Sequence, residues 1–166
     1  MHRSLSFYLA TAEIICNPRR SDDFSTACAA LEAVPVLYDL LNKANKNHTV
    51  FVPTNEAFSR NFNESELNSF MTTTEGKKQL EFVLNTHIIK ETRVITFKSL
   101  KCGNDYRMRN DEDTKTECGA IDKFQIGKGN VASVNNKRPK IIQRDIRASN
   151  GIIQGVNNVI LPLLLL

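Results

Sequence analysis

Apolar residues recur at helical spacing through the first half of the chain. After Ser21-Asp22-Asp23, which offers an N-cap and a negatively charged first turn, Phe24, Cys28 and Leu31 lie about one turn apart and predict a helix. Pro35 ends that helix but suits the first turn of the next, whose apolar stripe is Leu37, Leu40 and Leu41, so two short helices meet near Val34. Thr49 to Val52 is a β-branched and aromatic run closed by Pro53. It reads as a buried strand, with Thr54 capping a brief helical turn behind it. Asn63 with Glu66 has the form of a capping box ahead of Leu67, Phe70 and Met71. A further helix is expected from about Thr74 through Leu80, Val83, Leu84, His87 and Ile88, and on that stripe His87 reads as a buried, hydrogen-bonded histidine.

Beyond Lys90 the apolar runs shorten to strand length: Phe124 to Ile126, Val131 to Val134, Ile141 to Arg147 and Val156 to Leu161. Between them stand Gly127-Lys128-Gly129-Asn130 and Asn135-Asn136, residues that tolerate positive φ in turns. Helices first and strands later predict an α+β domain. With 166 residues, 41% of them hydrophobic, the chain suits one compact domain over 1–166, and it shows neither internal repeat nor linker. A charged fraction of 24% with seven Gly and five Pro excludes a disordered or collagenous chain. Leu5 to Leu9 is too short an apolar core for a signal peptide, although Ala10-Thr11-Ala12 has the pattern of a cleavage site. Leu5 to Ile15 reads instead as the opening helix of the domain. Leu161 to Leu166 falls far short of the roughly 20 residues that span a bilayer, so a membrane anchor is expected only outside this sequence.

Charge and cysteine add chemistry to this frame. The net charge is +4, and between Ala120 and Asn150 seven basic residues stand against Asp122 and Asp145. Lys137, Arg138, Lys140, Arg144 and Arg147 are the candidates for holding an acidic glycan by Coulomb attraction and counterion release, against the plain reading of a solvated basic face. Nucleic acid is not an expected partner. Four cysteines at 16, 28, 102 and 118 form no C-x-x-C pair and the three histidines are scattered, so metal spacing is absent. Of the three possible connectivities, Cys16–Cys28 with Cys102–Cys118 is favoured, because each closes a short loop. The sequons at Asn47 and Asn63 agree with paired cysteines in pointing to an oxidising, extracellular destination. No G-x-S-x-G, phosphate loop or H-E-x-x-H is present, and neither an enzyme nor a cofactor is expected.

The segments TVFVPTNEAF (Thr49 to Phe58) and ASNGIIQGVNNVILP (Ala148 to Pro162) resemble the two signature segments of the fasciclin family, in the family's order and separation. LEFVLNTHII (Leu80 to Ile89) occupies the place of the family's tyrosine-histidine pair, and LKCG at Leu100 with Cys118 is similar to a cysteine-bearing subset. The resemblance covers nearly the whole chain. It implies a wedge-shaped α+β domain, with a small β-sandwich and a cluster of helices, in which the two segments supply neighbouring central strands. Val50, Val52, Val156, Val159 and Leu161 suit strands buried on both faces, and Asn150-Gly151 is a turn signal leading into one. The function implied is an extracellular or cell-surface adhesion module that meets cell-surface or matrix proteins, integrin-like receptors among them. Asp145-Ile146 is similar to an aspartate-isoleucine element linked to integrin binding in animal members. Alternation of Gln143, Asp145 and Arg147 against Ile142 and Ile146 is expected to turn the carboxylate outward, where it suits a partner's divalent cation. His87 is the other carried-over contact. The sequence departs from the family pattern at Thr86, Gln154 and Asn157, which weakens the carry-over of ligand contacts. A glycan binder acting through residues 123–147 and a structural spacer in a larger secreted protein are the alternatives.

Overall fold

The computed structural model describes residues 9–130 and 137–163. In chain order the elements are α1 (Thr11–Ile15), α2 (Ser21–Ala33), α3 (Pro35–Leu41), β1 (His48–Pro53), α4 (Asn55–Asn61), α5 (Glu64–Thr72) and α6 (Thr74–Asn85). There follow β2 (Asp105–Arg107), β3 (Asp113–Cys118), β4 (Lys123–Ile126), β5 (Ile141–Ala148) and β6 (Gly151–Val156). Two three-stranded sheets form, ordered β1-β6-β5 and β2-β3-β4. The two signature segments are indeed neighbours, since β1 pairs with β6 in parallel from His48↔Gly151 to Pro53↔Val156. Alternate side chains of this pair enter different cores. Val50, Val52 and Ile153 join the helices around Phe24, Leu31 and Phe58, whereas Phe51 and Val156 join Ile89, Leu100 and Met108 on the other side. The central strands are therefore buried on both faces, which is why they are apolar without alternation.

Most local signals act as their chemistry predicts. Pro35 opens α3, Thr54 Oγ1 accepts from Ala57 N at 3.2 Å, and Asn63 with Glu66 forms a complete capping box. The start of α2 differs from expectation. Ser21 lies inside the helix rather than capping it, and the helix breaks at Phe24 (φ −127, ψ 15). Asn55, from the first signature segment, serves the break in trans: its Oδ1 accepts from Thr26 N at 2.9 Å and its Nδ2 donates to Ser21 O and Asp22 O. At the opening, α1 begins at Thr11 with Leu9 and Ala10 non-helical, and the remainder of the expected Leu5–Ile15 helix lies outside the described residues.

Three other expectations are corrected. The helix predicted through Ile88 stops at Asn85, because β1 takes over the backbone that follows: Phe51 N donates to His87 O and Ile89 N to Thr49 O. The strand predicted over Val156 to Leu161 is instead Gly151–Val156. Asn157 N still donates to Lys140 O, and beyond it the donors turn to side chains, Val159 N to Asn61 Oδ1, Ile160 N to His87 Nε2 and Leu161 N to Asn130 Oδ1, all within 3.0 Å. Gly151 is required by close approach rather than by a left-handed turn, since a Cβ there would lie 2.6 Å from His48 O. Finally, β2 and β3 carry no apolar signal. The inward positions of β3 are Thr114 and Thr116, which form a buried polar ladder with Gln125 of β4 through bonds of 2.6 and 2.8 Å. The expected run Val131 to Val134 lies outside the described residues.

Candidate interaction site

Asp145 and Ile146 sit on β5, where two register shifts, between Ile141 and Gln143 and between Gln143 and Ile146, interrupt pairing with β6. These bulges destroy the alternation on which the outward carboxylate depended. Ile142 is 47% exposed, Ile146 packs against the helical core, and Asp145 adopts φ 53, in the left-handed region that aspartate tolerates better than most residues. Asp145 Oδ1 accepts from Phe97 N at 2.9 Å and from Gln154 Nε2 at 2.8 Å, while Asp145 N donates to Gln154 Oε1 at 3.1 Å. The Asp145–Gln154 clasp thus fastens the bulge to β6 and to the 97–100 turn. It corrects the picture of a projecting acid.

His87 is likewise part of the frame rather than of a surface. It is buried, its Nδ1 lies 2.8 Å from Val83 O and its Nε2 accepts from Ile160 N at 2.9 Å. One neutral tautomer satisfies both contacts, with the proton on Nδ1. Burial pushes its pKa down to about 4, opposed by the hydrogen bond to Val83 O. His48, at the start of β1 and also buried, is lowered too, first by desolvation and then by Arg109 and Lys46.

The basic residues expected to gather around an anion are mostly engaged within the molecule. Arg138 pairs with Glu117 at 3.1 Å and lies 4.3 Å from the Phe124 ring centroid. Lys140 pairs with Asp122 at 3.3 Å. Arg144 lies 3.8 Å from the Phe97 centroid and donates to Ile121 O, and Lys137 Nζ donates to Arg60 O at 3.1 Å. Arg147 remains exposed on β5. Four of the five are thus tied to acids, rings or carbonyls of the same molecule.

Both cysteine pairs are joined, Cys16 to Cys28 and Cys102 to Cys118. Among the described residues the one convergence of three potential metal ligands is Cys16, Cys28 and Glu32, and its sulfurs are bonded to each other, so it offers no thiolate. Asn47 and Asn63 are both exposed. The cap at Asn63 uses Oδ1, which accepts from Glu66 N at 2.8 Å, whereas N-glycosylation uses Nδ2, so cap and sequon are compatible. No helix among the described residues is long and apolar enough to cross a membrane. Sequence reasoning missed a polar groove beside β2, lined by residues between Ile89 and Arg107. Its only signal was a scatter of lysine and arginine with no period.

The fasciclin domain profile matches residues 22–162. The chain belongs to the fasciclin domain family. It is 30% identical over 142 residues to protein sll1483 of Synechocystis sp., across 86% of this chain and 69% of that protein. Its fold matches that of a FAS1 domain pair from the insect cell adhesion molecule fasciclin I with a TM-score of 0.73 and 16% identity, over 93% of this chain and 51% of that one. The chain spans about half the length of that pair, and the likeness is one of fold.

Proposed function

We propose that this domain is a non-catalytic adhesion module of the cell exterior, joining cells to one another or to a matrix. The carrying observation is a fasciclin fold fastened by two disulfides, which fit an oxidising compartment. The chemistry-bearing side chains support the reading, because the cysteines are paired and His87 and Asp145 hold backbone groups in place. The fold shared with a domain pair of an insect cell adhesion molecule supports adhesion, and the cyanobacterial relative favours a contact that needs no animal receptor. With Asp145 clasped, the reading does not route the contact through an integrin-like partner. Single contacts of this kind are weak and gain strength by repeated display. Beads carrying the domain at graded density, mixed with matrix-producing cells and with their decellularised matrix, test it. Attachment is expected to rise more steeply than in proportion to density, and absence of attachment at every density overturns the proposal.

A further inference from the structure

A groove of about 570 Å³ opens beside β2, within the roughly 300–1,000 Å³ range of small-ligand clefts. Arg93, Lys98, Lys101 and Arg107 line it, against the carboxylates of Glu91 and Asp105. The arginines are already paired, Arg93 with Glu91 at 2.8 Å and Arg107 with Asp113 at 3.1 Å. The ammonium groups of Lys98 and Lys101 have no carboxylate partner among the described residues. Asp105 is likewise without an ion-pair partner among the described residues, so two ammonium groups stand against one carboxylate and the concavity keeps a net positive charge that a bound anion relieves.

Both walls are fixed in advance. Cys102, next to Lys101, is bonded to Cys118 on β3, and Gly103 takes φ +80 while its N donates to Thr116 O at 2.7 Å. Lys101 N donates to Tyr106 Oη at 3.0 Å. The turn carrying Lys98 is held from behind by Lys123, whose ammonium donates to Phe97 O at 2.7 Å and Leu100 O at 2.6 Å. Lys123 is therefore a positioning residue rather than part of a free basic stretch. Backbone held in this way is ordered before a ligand arrives, which leaves only the two lysine side chains to be ordered on binding. The one aromatic among the lining residues, Tyr106, is half-buried with its hydroxyl engaged, so the groove offers no stacking platform for nucleic acid bases. A disulfide at the lip fits the cell exterior.

We infer that this groove is a subsite for a sulfated oligosaccharide, whose sulfates bridge Lys98 and Lys101. The inference names a ligand class for the adhesion module and rests on that reading for its location outside the cell. It places polyanion recognition at Lys98 and Lys101 rather than at residues 137–147.

Calorimetric titration of the full chain with a heparin-derived hexasaccharide, over a range of salt, tests the assignment beside Lys98→Ala/Lys101→Ala, Arg147→Ala and a fully desulfated hexasaccharide. The double variant is expected to lose about tenfold or more in affinity and to show a flatter salt dependence, by about two charges. Its thermal midpoint and the affinity of Arg147→Ala should match the parent. Failure of the parent to bind, equal binding of the desulfated sugar, or an unaffected double variant overturns the assignment. Hexasaccharide binding without bead attachment leaves the groove standing and removes the adhesive reading, and attachment without hexasaccharide binding does the reverse.

Discussion

At the scale of single residues, side chains that stand in for backbone hold this fold together, and His87 is the one whose service depends on pH. Ile160 N–H needs a lone pair on Nε2, which a protonated imidazole does not have. The native pKa of about 4 lies below the value of roughly 6.5 expected in the unfolded chain, so the unfolded state binds the proton first as pH falls. Stability from this group is therefore complete above about pH 6.5, declines through the window down to about pH 4, and levels off below it, for roughly 3 kcal/mol in all. His48 is lowered in the same direction and adds to the slope. In urea unfolding, His87→Gln is expected to be less stable than the parent by about 1–2 kcal/mol at pH 7, yet to lose less between pH 7 and pH 4.5. An unchanged pH slope in the variant would show that His87 is not the responsible group. Spacing alone placed this histidine in the core, since it follows the stripe of Leu80, Val83 and Leu84, but its acceptor duty joins it to Ile160, far along the chain.

Among the elements, what was legible in the sequence is what is decided within a few residues. Pro35, Thr54 and the Asn63/Glu66 box act on neighbouring amides, and their helices begin where the residues say. The ends of α6 and β6 were not legible, because β1 in one case and Asn61, His87 and Asn130 in the other compete for the same backbone groups from a distance. β3 was hidden by the polarity of its inward residues. β5 was found, but its bulges were not, and with them went the facing of Asp145. If the clasp explains Asp145, its substitution should act on stability before adhesion. Asp145→Asn keeps an acceptor oxygen and a residue type that tolerates φ 53, and is expected to stay within about 1 kcal/mol of the parent. Asp145→Ala loses the acceptor for Phe97 N and Gln154 Nε2 and strains the turn, with an expected loss of about 2–3 kcal/mol. Attachment per folded molecule, measured on beads loaded with each variant, should be unchanged, and a selective loss with Asp145→Asn would restore a direct contact role.

The whole molecule is two cores sharing one wall. Because consecutive residues of β1 face opposite ways, Val50 and Val52 cannot leave the helical core without Phe51 leaving the other, and β6 couples the cores likewise through Ile153 and Val156. This is also why the signature segments were recognisable while the lobes around them were only partly so: positions packed on two sides accept few residue types. The disulfides reinforce one lobe each, over sequence separations of 12 and 16, and loops of that size stabilise by about 3 kcal/mol in the chain-entropy account. Replacing either pair by serine should therefore lower stability by about that amount without splitting the unfolding transition. Hydrogen exchange in denaturant distinguishes the cases: peptides from α2 and from β3 should open together in both variants. The pairs should differ in one respect. Cys102→Ser/Cys118→Ser frees the wall that carries Lys101 and is expected to weaken hexasaccharide binding at temperatures where the chain is still folded, whereas Cys16→Ser/Cys28→Ser leaves that affinity intact. Separate transitions for the two lobes would mean that the β1–β6 wall does not couple them, and the groove would then owe its order to its own disulfide alone.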